Sequence, residues 1–208
     1  MSFFDILTKG GYLMIPIFLA SLVALYIFVE RMLTLRKLQI DTRAFILEVK
    51  NLILQGMIDD VLALCRKTSG PIAKMTRVAI DNAKFARSDV KDAIDSAGQA
   101  EIYILEKNLG MLATVSGVAP MIGFLGTVTG MISAFMEIQT RGGNVDAAVL
   151  AGGIWEALIT TASGLAVGIM ALIFYNWVQG KVERMVFEME EASAELLGAI
   201  IGKGQAQL

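Results

Sequence analysis

The run VLAGGIWEALITTASGLAVGIMALIFYNWV (residues 149–178) decides how this chain is read: it is apolar enough to cross a bilayer, yet it holds a carboxylate. Glu156 is the only charge between Asp146 and Lys181. A charged side chain at the centre of a spanning helix costs about 2.5–3.5 kcal/mol on insertion scales. Such groups face protein or water rather than lipid, and they mark ion pathways. The run therefore predicts a membrane protein that moves an ion, with a proton as the first choice.

Composition agrees with that reading. The chain has 208 residues, 55% of them hydrophobic and 18% charged, which is more apolar than a soluble domain of this length. A net charge of −2 supplies no basic field for nucleic acid. With no histidine and one cysteine, the chain alone has no ligand set for zinc, haem or an iron–sulfur cluster. A cation site made of carboxylates alone stays open, and no cofactor is implied. Cys65, in LCRKTSG, has no partner for a disulfide within the chain and reads as a buried or half-buried spectator thiol. There is no HExxH, no paired membrane aspartate and no nucleophile beside a base, so an enzyme is not expected and no catalytic residue is assigned.

Three stretches reach the roughly 20 helical residues that span the hydrocarbon core. They fall at residues 12–35, 110–136 and 151–178. The first has no basic stretch ahead of it and is followed by Glu30, Arg31, Arg36 and Lys37, so it reads as a retained span and not a cleaved signal. Lys and Arg cluster after the first span, which places residues 36–109 and the tail 179–208 in the cytoplasm by the positive-inside rule. Residues 1–11 and the loop 137–150 then lie outside, on the face that would be periplasmic in a bacterial inner membrane. Glu30 and Glu137 end spans and read as interfacial charges.

The long loop is patterned for helices. Phe45, Val49, Leu52 and Ile53 recur at helical spacing, as do Val61 and Leu64, and Ile72, Met75, Val78 and Ala79. Ser69-Gly70-Pro71 predicts a turn with Pro at the first helical position. Ser88 is the expected N-cap of a helix that carries Val90, Ile94, Ala97, Ile104 and Leu105 into the second span without a joint. Val182, Met185, Val186, Met189, Ala192, Leu196 and Ile200 extend the third span as an amphipathic helix. The expected fold is an all-α membrane protein with three transmembrane helices and long cytoplasmic helical extensions.

On an ideal helix at about 100° per residue, Thr160 lies about 40° and Ser163 about −20° from Glu156, while Thr161 falls at about 140°. In the second span Ser116, Pro120, Gly123 and Ala134 all lie within about 40° of Thr127, giving a small and polar stripe. Small residues let helices approach closely in lipid. Gly123, Gly126 and Gly130, with the GxxxG pair Gly164 and Gly168, read as packing positions, and Pro120 as a bend near Ser116. On the residues alone two readings of Glu156 stand. One is a solvated group at the outer interface; the other faces an internal pathway, with Thr160, Ser163, Thr161, Thr127 and Ser116 as its polar company. Three helices cannot enclose an aqueous route, so the chain is expected to form a ring of identical copies or to recruit partner helices.

The segments TVSGVAPMIGFLGTVTGMISAF (residues 114–135) and IWEALITTASGLAVGIMALIFYN (residues 154–176) resemble the two signature helices of the ExbB/TolQ/MotA proton-channel family. ERMLTLRK after the first span, the helical loop and the order of spans fit as well, and the three-span layout with GTVTGMI is most similar to ExbB. The resemblance implies a homopentamer in the bacterial inner membrane around a single-span ExbD- or TolR-like partner that supplies a proton-carrying aspartate. It further implies that proton motive force is passed to a TonB-like protein to energise outer-membrane transport. By the same match Glu156 would be the pore glutamate, and Thr127 and Thr161 the threonines of the two spans. A TolQ-like role in envelope maintenance, or a non-conducting scaffold, is the alternative; H⁺ is favoured over Na⁺ because the acid has few other oxygens near it.

Overall fold

A computed structural model describes residues 10–140 and 147–206, and their regular structure is helical throughout. Among the described residues seven helices follow in order: α1 (Met14–Leu38), α2 (Thr42–Gln55), α3 (Ile58–Lys67), α4 (Pro71–Asp81), α5 (Arg87–Leu105), α6 (Leu109–Thr140) and α7 (Ala147–Ala206). Residues 1–9 of the expected outer N-terminus and 141–146 of the expected loop 137–150 lie outside the described residues. Three segments, in α1, α6 and α7, are long and apolar enough to cross a membrane. The described residues divide into two units. One holds those up to Glu30 with Asn108–Val178; the other holds Arg31–Lys107 with those from Gln179 onward.

In the first unit α6 and α7 run antiparallel along a seam of small residues. A Cβ on Gly168 would stand 3.0 Å from Ser116 O, and one on Gly164 only 2.6 Å from Ala119 O and 2.8 Å from Gly123 Cα. Further along, Gly126 abuts Thr160, Gly130 abuts Ala157 and Gly153 abuts Ala134. Lipid tails are as apolar as the helices, so such pairs hold by close contact and not by expelling water. α1 packs beside them through Ala24 and Ile27, which meet Leu112 of α6 and Ala171 of α7. Phe28 stacks on Phe174 at 4.2 Å between ring centres and meets Trp177 edge-on. The outer faces stay open: Tyr26, Met121, Phe124 and Ile169 are exposed. α6 remains helical through Pro120.

In the second unit α4 is the centre, burying Pro71, Ile72, Ala73, Met75, Thr76, Ala79 and Ile80. Pro71 does start the helix, behind Gly70 at φ 141°. α2 begins where Asp41 accepts a hydrogen bond from Ala44 N–H and ends at left-handed Gly56. Its Thr42 and Lys50 bond Glu188 and Glu195 of α7 at 3.0 and 2.9 Å. Cys65 is buried, and burial pushes its thiol up to about 11.

Two expectations are corrected here. Ser88 is not the cap of α5; Ala86 is, without a side-chain bond, and the Ser88 hydroxyl donates to Asp89 instead. Nor does α5 pass unbroken into α6. The helix stops at Glu106, and Asn108 takes a left-handed φ of 65° that asparagine tolerates better than most residues. The buried Arg31 donates to Ile104 O at 3.0 Å in the last turn of α5, where a cation suits the negative end of the helix dipole. The buried stripe of α5 is Val90, Ile94, Gly98, Glu101 and Leu105, so a glutamate occupies an apolar position; Lys74 of α4 pairs with it at 2.8 Å.

Candidate ion-pathway site

Glu156 sits in the third turn of α7 and is half-buried. Its carboxyl rests against the backbone that leads into α1: a Cβ added to Gly11 would collide with Glu156 Oε1. Gly11 is left-handed at φ 66°, and its carbonyl accepts from Met14 N–H to begin α1. Thr160, one turn on, is 1% exposed. Its hydroxyl lies 2.9 Å from Gly10 O and 2.8 Å from Glu156 O, so its one proton is shared between the turn and its own helix. Ser163 is half-buried on the same face of α7 as Glu156.

The two neighbouring threonines of α7 thus serve different sides. Thr161 donates across to Gly123 O of α6 at 2.7 Å, on the far flank of the seam from Glu156. Thr127 stands level with Thr160, because its neighbour Gly126 packs on that residue, but it lies beside the seam and not in it. The hydroxyl of Thr127 donates to Phe124 O of its own helix at 2.6 Å and is half-buried. Ser116 likewise donates within α6, to Ala113 O at 2.7 Å.

The stripe read around Thr127 therefore divides. Gly123 and Ala134 join Ala119, Gly126 and Gly130 on the buried side, and Thr127 and Ser116 occupy its edge. Gly10 and Gly11 belong to none of the sequence motifs and join the site only through the fold. A glycine pair directly before a span was the available sign of a close approach. Among the described residues no three or more His, Cys, Asp or Glu side chains converge as a metal site would need.

Residues 67–191 match the model of the MotA/TolQ/ExbB proton channel family. An ExbB homolog of Methanothermobacter thermautotrophicus is 31% identical over 177 residues, covering 83% of this chain and 62% of that protein. An ExbB-like protein of Synechocystis sp. is 26% identical over 188 residues, 90% of each chain. Biopolymer transport protein ExbB of Neisseria gonorrhoeae is 25% identical over 153 residues, 67% of this chain and 69% of its own. The chain thus spans less than two thirds of the methanogen protein but nearly all of the cyanobacterial one.

Proposed function

Because this chain belongs to the MotA/TolQ/ExbB proton channel family, we propose that it is an ExbB-type motor subunit of the inner membrane in which Glu156 exchanges protons. The observation that carries the reading is the place of Glu156: the one carboxylate of an otherwise uncharged span, half-buried. A lone ionisable group in an apolar span that faces protein or water marks an ion pathway by default.

One chain does not enclose a route. In the windows that could cross a membrane only 22% to 28% of residues are buried, which leaves wide apolar faces for lipid and for further helices. A homopentameric ring around a single-span ExbD- or TolR-like protein would complete the path and cover part of those faces. Thr127, Ser163 and Ser116 then stand as hydroxyls along it, and Thr161, bonded to Gly123 O, as the group that fixes α7 against α6. The output is movement of a TonB-like protein for outer-membrane transport, with the N-terminus periplasmic and the C-terminus cytoplasmic.

Glu156→Gln keeps size and hydrogen bonding while removing the titrating group. In vesicles carrying the chain with its genomic single-span neighbour, the variant should assemble normally and lose proton flux. Unchanged flux in the variant would remove Glu156 from the path. No flux from the unsubstituted chain, with unchanged growth of the variant on a scarce iron chelate, would make the chain a non-conducting scaffold.

A further inference from the structure

The turn ahead of α1 approaches Glu156 more closely than any side chain could. At Gly11 the missing Cβ is the space in which the acid's Oε1 lies, and the same absent atom would stand 3.0 Å from Glu156 Cδ. At Gly10 a Cβ would stand 2.8 Å from Met14 Sδ and 3.2 Å from Ile159 Cγ2. A Cβ at either position would have to push aside the Met14 or Glu156 side chain, and Gly11 adds a positive φ that favours glycine. The turn is tied down by Thr160, which is fully enclosed. Its Cβ would lie 2.6 Å from a Cβ on Gly126, its hydroxyl reaches Gly10 O, and its own backbone is one turn from the acid.

We propose that Gly10 and Gly11 form a backbone cover seated on one side of the Glu156 carboxyl, and that Thr160 is the positioning residue that anchors it. The cover closes that side of the acid to water and lipid, so protons reach the carboxyl from its remaining open side alone. Thr160 is then no carrier of protons; it sets where the carrier can be reached. The functional weight of this cover rests on the reading of Glu156 as the exchanging group.

The test is the rate at which a hydrophobic carbodiimide labels Glu156 in native membranes, followed by mass spectrometry of the peptide that contains it. Thr160→Val removes the anchor and Gly11→Ala displaces the turn, and each should speed labelling by about threefold or more, the equivalent of one membrane hydrogen bond of roughly 0.6 kcal/mol. Thr160→Ser keeps the donor and should label at the original rate. Unchanged labelling in Thr160→Val or in Gly11→Ala overturns the cover, as does equal acceleration in Thr160→Ser. Should Thr160→Val fail to insert, Gly11→Ala is read with Glu156→Asp, whose shorter side chain withdraws from the added methyl. The double variant should then label residue 156 at the rate of Glu156→Asp alone, and a faster or slower rate overturns the proposal. Labelling reports access and not flux, so its failure leaves the Glu156→Gln result standing, and the reverse holds too.

Discussion

Thr161 donates its hydroxyl to the carbonyl of Gly123 at 2.7 Å, joining the two long antiparallel spans at the point where neither has a bulky side chain between them. The bond is possible because Gly123 has no Cβ; one would sit 3.1 Å from Thr161 Cα. Thr127 makes no such tie, since its hydroxyl turns back onto Phe124 O.

The two threonines should therefore separate by experiment. Thr161→Val should lower the thermal stability of the detergent-solubilised protein by about 0.6 kcal/mol, up to about 1.7 kcal/mol, the range of interhelical hydrogen bonds in membranes. Thr127→Val should leave stability within about 0.5 kcal/mol, the usual effect away from packed features. A fall in proton flux in Thr127→Val at unchanged stability would identify its hydroxyl as part of the path.

The glycines should sort by what surrounds them. Gly164→Ala forces a methyl to 2.6 Å from Ala119 O and 2.8 Å from Gly123 Cα, both backbone atoms that cannot swing aside. The expected loss is about 1–3 kcal/mol, the cost of overpacking, seen as a lower melting temperature. Gly180→Ala, in the same helix with nothing within 4 Å, should instead gain up to about 1 kcal/mol from helix propensity.

Lys74 and Glu101 offer a test in the second unit. The Glu101 side chain is 11% exposed and takes two bonds from Lys74 Nζ, at 2.8 and 2.9 Å. Lys74→Met should leave the carboxylate without that partner and cost about 1–3 kcal/mol by pulse proteolysis. Lys74→Met with Glu101→Gln should recover part of the loss, because an amide is less costly to enclose than a charge.

Cys65 should be nearly inert. Burial raises its thiol from 9.0 to about 11, aided by Asp81 and opposed by Arg77. At pH 8 the thiolate is then roughly a hundredfold scarcer than in the unfolded chain, and only the thiolate is alkylated. Iodoacetamide labelling should be slow at pH 8, climb with pH toward about 11, and become fast on denaturation. Since the folded value lies above the unfolded one, the thiol favours the fold below pH 9 and that support is lost between pH 9 and about 11. Equal labelling rates in folded and denatured protein at pH 8 would contradict the burial.

The periodicity in the segments between the first two spans translated well, within limits set by what lies opposite each face. Phe45, Val49, Ile53, Val61, Ile72, Met75 and Ala79 are buried as their spacing required. Leu52 and Val78 are only half-buried, and Ile46 and Thr76 are enclosed in their place. The misplaced cap and joint of α5 have one origin. A Ser-Asp sequence and an unbroken apolar stripe are local signals, whereas Asn108 turns left-handed at the change from one unit to the other.

Length and hydropathy, being sums along the chain, were enough to determine three spans, a helical fold and a lone acid at position 156. Angles on an ideal helix even placed Thr161 away from that acid. Which small residues touch depends on the register of α6 against α7, and a single strand of letters carries no register. The meeting of Gly11 with Glu156 joins positions 145 apart in the chain, and only folding brings such groups within reach of a short-range force.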